Sequence, residues 1–177
     1  MHLLLERWVS PISDLLLVTD NDGVLRALEF AGHEARMHRL LREHYRGHTL
    51  REGAAPVSLT RALDAYFDGS IGVLADVEIA TGGTPFQRKV WNALRAIPAG
   101  TTITYGQLAA SLGDIGASRA VGAANGANPI SIVVPCHRVI GANGSLTGYG
   151  GGLPRKQWLL DHEGRFSSIA AIPKCLL

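Results

Sequence analysis

Cys136 follows a proline at the end of an apolar run and precedes a histidine and an arginine, in the stretch NPISIVVPCHR at residues 128–138. A thiol attacks as its thiolate, its ordinary pKa is about 8.5, and a neighbouring imidazole or guanidinium lowers that value. The pattern therefore offers a nucleophilic cysteine on a stiff backbone, with His137 and Arg138 beside it to ionise it. The run reads as a strand ending at Pro135. On a strand adjacent side chains face opposite ways, so His137 is expected to reach the sulfur through a water rather than directly. A base of this kind needs an acid to orient it. After residue 79 only Asp114, Asp161 and Glu163 are available, and Glu163, in KQWLLDHEG, is the chosen partner. An isolated Cys-His pair is more often a buried structural thiol, so the surroundings must decide.

Those surroundings are helices. Thr84 can N-cap one with Pro85 at its first position, Phe86, Val90, Trp91, Leu94 and Ile97 on its apolar face, and Pro98 as its stop. Thr104 caps a second through Tyr105, Leu108 and Leu112; a break follows at residues 113–116; Ser118 opens a third through Arg119 and Val121 to Gly126. Helix, short glycine-containing turn, helix is a shape that binds DNA. In the third helix Ala117, Ala120, Gly122, Ala123, Ala124, Gly126 and Ala127 leave no side chain long enough to read base edges in a major groove. Small residues suit close approach to a shallow minor groove, and they also suit tight helix packing. Arg119 is the one long basic side chain there, able to enter a base stack, pair with a phosphate or stand in solvent. Gly148, Gly150, Gly151 and Gly152 make a loop that either lets a ligand approach the backbone or is merely flexible.

Upstream, residues 3–9, 15–19 and 24–30 read as three strands of a meander, separated by Pro11 and by Asn21-Asp22-Gly23. Helical spacing predicts two helices over that sheet, at 33–45 with Met37, Leu40 and Leu41, and at 57–67 with Leu59, Leu63 and Tyr66. Residues 73–79 read as a further short strand. The composition of residues 80–83 marks a linker between a first domain, 1–79, and a second, 84–177. Charge divides at the same place: residues 1–79 hold 8 Arg against 12 Asp and Glu, net −4, while residues 80–177 hold 9 Lys and Arg against 3 carboxylates, net +6. The basic half is where a polyanion would bind. No apolar run approaches the roughly 20 residues of a membrane span, and residues 1–6 carry no signal-peptide pattern, so a cytoplasmic location is expected. Cys136 and Cys175 make no disulfide framework, and Cys175 is assigned no role.

Four segments in order, TYGQLA at 104–109, SRAVGAANGANP at 118–129, PCHRVI at 135–140 and GYGGGLPRKQWLLDHEG at 148–164, resemble the O6-methylguanine-DNA methyltransferases. The likeness spans residues 84–164; residues 1–79 resemble more loosely the degenerate ribonuclease-H-like domain of the family's bacterial constitutive type. The resemblance implies an α+β chain whose second domain is mostly helical and winged-helix-like, with a helix-turn-helix. It implies DNA repair by irreversible, single-turnover transfer of an alkyl group from O6-alkylguanine in double-stranded DNA to Cys136, with no cofactor and no metal. His137, a water and Glu163 would form the activating relay, and Asn128 would brace the turn before the active-site loop. Tyr105 would crowd the 3′ phosphate and donate to guanine N3, the Val139 carbonyl would receive the exocyclic amine, and Tyr149 would wall the pocket beside the Gly150 amide that donates to O6. Arg119 would fill the space of the extruded nucleotide; Ser118, Ala120, Gly122 and Arg138 complete the DNA-binding set.

These roles make physical sense, because an alkyl group on guanine O6 inside a duplex is reachable only after the base flips out. Donors at O6 and N3 then stabilise the charge left on guanine. Mammalian members carry a Cys and His zinc site in the first domain, whereas His2, His33, His38, His44 and His48 here have no nearby cysteine. Asn125, where those relatives often have Met, together with Ser131, Thr147 and Gly150, favours a pocket for alkyl groups larger than methyl and for O4-alkylthymine. A monomer with no obligatory protein partner and no membrane contact is expected. A non-catalytic alkyl-DNA sensor would lack Cys136, and a cysteine hydrolase would turn over.

Overall fold

Leu15, Leu16, Leu17 and Val18 follow one another without a polar break, and all four are fully buried. They belong to a strand covered on both faces. In the computed structural model, which describes residues 1–170, strands β1 (His2–Trp8), β2 (Leu15–Asp20) and β3 (Leu25–Phe30) form an antiparallel meander, and β4 (Thr49–Glu52) adds parallel to β1, giving the order β3-β2-β1-β4. Helix α1 (Glu34–His44) buries Met37 and Leu41 with Leu3, Leu16, Val18 and Ala27 on one face. Helix α2 (Val57–Phe67) lays Leu59, Leu63 and Tyr66 against Leu15, Leu17, Leu25 and Leu28 on the other. That alternation follows from the period of two along a strand.

The second face is completed from the other half of the chain. Helix α3 (Pro85–Arg95) contributes Val90, Trp91 and Leu94, α6 (Leu153–Ala170) contributes Leu159, and the segment after Asn128 contributes Ile130, Ile132, Val133 and Val134, all within one apolar cluster. The halves also share backbone hydrogen bonds: Leu28 N donates to Pro129 O (3.0 Å) and Ser131 N to Leu28 O (2.9 Å). Helices α3 and α4 (Tyr105–Ser111) both start at capping boxes, Thr84 with Gln87 and Thr104 with Gln107. Helix α5 (Ser118–Gly126) follows a turn capped by Asp114, and β5 (Ile103–Thr104) pairs in parallel with β6 (Val139–Ile140).

Three expectations are corrected, and one strand is new to the reading. Residues 73–79 are not a continuous strand: Val73–Asp76 is a 3-10 turn, the carbonyls of Ala75 and Val77 accept from Arg95 Nη2 (2.6 and 2.9 Å), and within the segment Ile79 bridges to Leu25 of β3. Phe86 lies outside the apolar face of α3, 40% exposed. The pairing of β4, with only Leu50 partly buried, is too weakly patterned to be read. The run before Cys136 is no strand either; it curls around Asn128, whose side chain accepts from Ile130 N (2.9 Å) and donates to Val134 O (2.8 Å), with Ile132 at φ 70°. Its apolar composition reflects burial on all sides. Cys175 lies outside the described residues.

Candidate active site

The loop around Asn128 delivers Cys136 to the first position of a 3-10 turn, Cys136–Arg138, where the thiol is only 4% exposed. Asn128 Nδ2 donates to Cys136 Sγ (3.1 Å) as well as to Val134 O, so one amide fixes both the loop and the sulfur. Burial pushes the thiol pKa up, and the Asn128 hydrogen bond with the positive charges of Arg36 and Lys156 only partly offsets it. A thiolate held by direct contact with a charged His137 or Arg138 is thus not what the structure holds. Both of those side chains turn away from the sulfur, toward Glu163.

Glu163, fully buried on α6, collects five donors. Oε1 lies 2.8 Å from His137 Nε2 and accepts from Arg138 Nη2 (2.9 Å) and the Tyr66 hydroxyl (2.8 Å); Oε2 accepts from Arg138 Nε (2.9 Å) and Gly100 N (3.2 Å). Burial alone would raise the carboxyl pKa, but His137 and Arg138 outweigh it and hold the group ionised, well below the usual range. A carboxylate only accepts, so His137 Nε2 carries the proton. Nδ1 is then the free lone pair, and it is buried with no hydrogen-bond partner among the described residues. Burial holds His137 below its ordinary pKa; Glu163 pulls the other way, and Arg138 and Lys156 reinforce the burial. The imidazole is neutral, with its basic nitrogen unengaged.

Arg138 is removed from the DNA-binding set by the same geometry. Its guanidinium is spent on Glu163 and on Ile97 O (Nη1, 2.7 Å), and the residue is buried. Tyr105 opens α4 and donates to Thr147 O (3.3 Å), while the Tyr149 ring meets Phe30 edge to face, its hydroxyl buried with no hydrogen-bond partner among the described residues. Gly151 is pressed so closely on Phe30 that a Cβ would lie 2.3 Å from the ring. A Cβ on Gly150 would stand 3.0 Å from the Arg36 guanidinium. On α5, Arg119, Ala120 and Ala123 are exposed, Ser118 and Gly122 are half-buried, and Val121, Ala124 and Asn125 face inward. Small residues serve both faces of that helix: Ala124 lets Trp91 come close enough to donate from Nε1 to its carbonyl (2.8 Å), and Ala120 with Ala123 leaves a flat outer strip.

Two residues escaped the sequence reading. Lys156, fully buried, donates to Val139 O (2.6 Å) and Thr147 O (2.9 Å), so one lone pair of the Val139 carbonyl is taken. Its spacing with Leu159 and Glu163 on one face of α6 was the available signal. Arg36 on α1 pairs with buried Glu29 and donates to Gly126 O (2.6 Å) and Asn128 O (3.1 Å), which closes the end of α5 and steadies the Asn128 turn. Nothing local distinguishes it from the other arginines of the acidic half.

Residues 85–165 match the family model described as the 6-O-methylguanine DNA methyltransferase, DNA binding domain. The chain is 57% identical over 166 residues to a methylated-DNA–protein-cysteine methyltransferase of Salmonella typhimurium, covering 93% of this chain and 97% of that one. A Mycobacterium tuberculosis relative of the same name is 48% identical over 147 residues, 80% of this chain and 88% of that one. Among solved structures, Mycobacterium tuberculosis OGT in complex with DNA superposes with a TM-score of 0.73 at 43% identity, covering 94% of each chain. The O6-methylguanine-DNA methyltransferase of the archaeon Pyrococcus kodakaraensis superposes at 0.70 with 32% identity, covering 92% of this chain and 99% of that one.

Proposed function

The chain belongs to the methylated-DNA–protein-cysteine methyltransferases, which transfer an alkyl group from DNA to a cysteine of their own, and we propose that its acceptor is Cys136. The observation that carries this is the pairing of a thiol held by Asn128 with a neutral imidazole whose Nδ1 is unengaged and whose Nε2 is locked on Glu163. The Cys136 proton passes through a water to His137 Nδ1. The thiolate attacks the alkyl carbon, the carbon–O6 bond breaks, and its electron pair stays on guanine, where the Gly150 amide at O6 and the Tyr105 hydroxyl at N3 stabilise it. The remaining lone pair of the Val139 carbonyl receives the exocyclic amine, and Tyr149 walls the pocket. A thioether does not hydrolyse, so each molecule reacts once.

The lesion reaches so buried a sulfur only as a flipped nucleotide. Docking of α5 in the minor groove, with Ser118, Ala120 and Gly122 at the backbone and Arg119 in the gap, fits the flat outer strip of that helix. Asn125, in place of the bulkier Met of mammalian relatives, favours adducts larger than methyl and O4-alkylthymine, and its buried Oδ1 has no hydrogen-bond partner among the described residues. The order β3-β2-β1-β4 favours a ribonuclease-H-like first domain, 1–79, joined by 80–83 to a winged-helix-like second one. Action as a cytoplasmic monomer without an obligatory protein partner completes the reading; among the described residues no helix is long and apolar enough to cross a membrane.

The test is Cys136→Ser with an O6-methylguanine duplex. Wild type should gain one methyl group in mass, mapped to the Cys136 peptide, and stop after one turnover. The variant should gain none while DNA affinity stays within about twofold, because a hydroxyl is far less acidic than a thiol and adds little to docking. Methyl found on another residue, or repeated turnover, would refute the assignment.

A further inference from the structure

Tyr66 is a buried polar group that alkyl transfer, as described, leaves unused. It lies near the end of α2, and its hydroxyl donates to Glu163 Oε1 (2.8 Å), the oxygen that also holds His137 Nε2 (2.8 Å) and Arg138 Nη2 (2.9 Å). Three donors therefore converge on one carboxylate oxygen, and each weakens what that oxygen gives the others, since a carboxylate offers only about four lone-pair sites over both oxygens. The phenol cannot drift from this position. Its ring is held edge-on by Phe67 (5.2 Å) and tilted against His162 (5.2 Å), and the His162 ring closes on Tyr66 O (2.8 Å).

We propose that Tyr66 is a positioning residue for alkyl transfer: by sharing Glu163 Oε1 with His137 it limits the pull of the carboxylate on the imidazole, which stays neutral with Nδ1 ready to take the thiol proton. The proposal rests on the relay described above. The charged and titratable groups facing Glu163 and His137 are Arg138 from the 3-10 turn, Lys156 from α6 and Tyr66 itself from α2. Burial and the charge of Glu163 hold the phenol pKa well above 10, so Tyr66 remains a donor throughout the range in which His137 titrates.

Tyr66→Phe keeps the ring and removes the donor. Freed of one competitor, Glu163 should attract the imidazolium more strongly and raise the His137 pKa. In full-length, histidine-labelled protein the His137 titration followed by NMR should move up by about half to one pH unit, as expected for one hydrogen bond to a charged group. The acid limb of the methyl-transfer rate should move with it; a purely structural role would lower the rate at every pH without moving the limb. An unmoved His137 midpoint in a folded variant overturns the proposal alone. A moved midpoint beside an unmoved rate limb overturns the relay, and the proposal with it. If Tyr66→Phe fails to fold, a fluorinated tyrosine at position 66 supplies a stronger donor; the midpoint should then move down, and one that stays in place is equally fatal.

Discussion

Burial keeps His137 uncharged, and Arg138, by neutralising the Glu163 carboxylate beside it, weakens the pull that would charge it. This arrangement has a signature in acid. A carboxyl depressed in the fold stabilises above its unfolded pKa and loses that contribution as pH falls. Glu163, well below its ordinary 4.5, therefore loses stability for the fold from about 4.5 downward. His137, held below its ordinary 6.5, refuses in the fold a proton that the unfolded chain accepts, which also costs stability as pH drops below 6.5. Both act in one direction, so below about pH 7 the urea midpoint should decline in two stages beginning near those values. Glu163→Gln should lose about 3–5 kcal/mol at neutral pH, because Arg138 is left buried and unpaired, and its stability should lack the lower stage. The same variant should slow transfer at least tenfold without changing which residue is alkylated; a wild-type rate would exclude the relay. Much of this group was legible in the sequence: Cys136, His137 and Glu163 stood out by type and scarcity. Arg138, placed in the DNA-binding set by the family resemblance, is buried on Glu163 instead, and nothing in one dimension shows that Glu163 folds back onto it.

Helix α5 separates its jobs by face, and Arg119 is the only long basic side chain on the outer one. If it fills the gap left by a flipped nucleotide and offsets about 1.4 kcal/mol of the unstacking cost, Arg119→Ala should slow repair of duplex on the order of tenfold at saturating DNA while sparing reaction with free O6-benzylguanine. Equal slowing on both substrates would make Arg119 a support of the fold instead. Where elements begin was well written in the chain: Thr84 and Thr104 announced their capping boxes, and the two helices on the first sheet followed from spacing. The loop after Asn128 was not, since an apolar run buried on every side carries no period that separates a strand from a coil wound around one amide. Arg36 was equally hidden, because its partners are carbonyls roughly ninety residues away. Replacing it by Ala should strand buried Glu29 and free the C-terminal end of α5, lowering thermal stability together with the transfer rate; unchanged stability would show that the clamp is idle.

At the scale of the whole molecule, charge and packing divide the chain differently. The net +6 of residues 80–177 should dominate contact with phosphates, so affinity for any duplex should fall linearly in log K against log salt, with a slope of roughly −0.9 per phosphate neutralised. Salt-independent binding would count against that half as the DNA surface. The core ignores the charge boundary, with residues from both halves in one cluster and a backbone bridge between Leu28 and Ile130. Unfolding should accordingly be a single transition, with tryptophan fluorescence and far-UV circular dichroism superimposing; two separated transitions would mean that the halves melt as independent units. Leu28 pairs with the segment after Asn128, Arg36 holds Asn128 itself, and Tyr66 reaches Glu163, so parts made early wait for parts made late. On the ribosome, Cys136 emerges before the helix that carries Glu163 exists. A chain that stalls between them bears a cysteine with no relay behind it. If the relay acts as proposed, repair capacity should follow the number of chains translated past α6, and not the number begun.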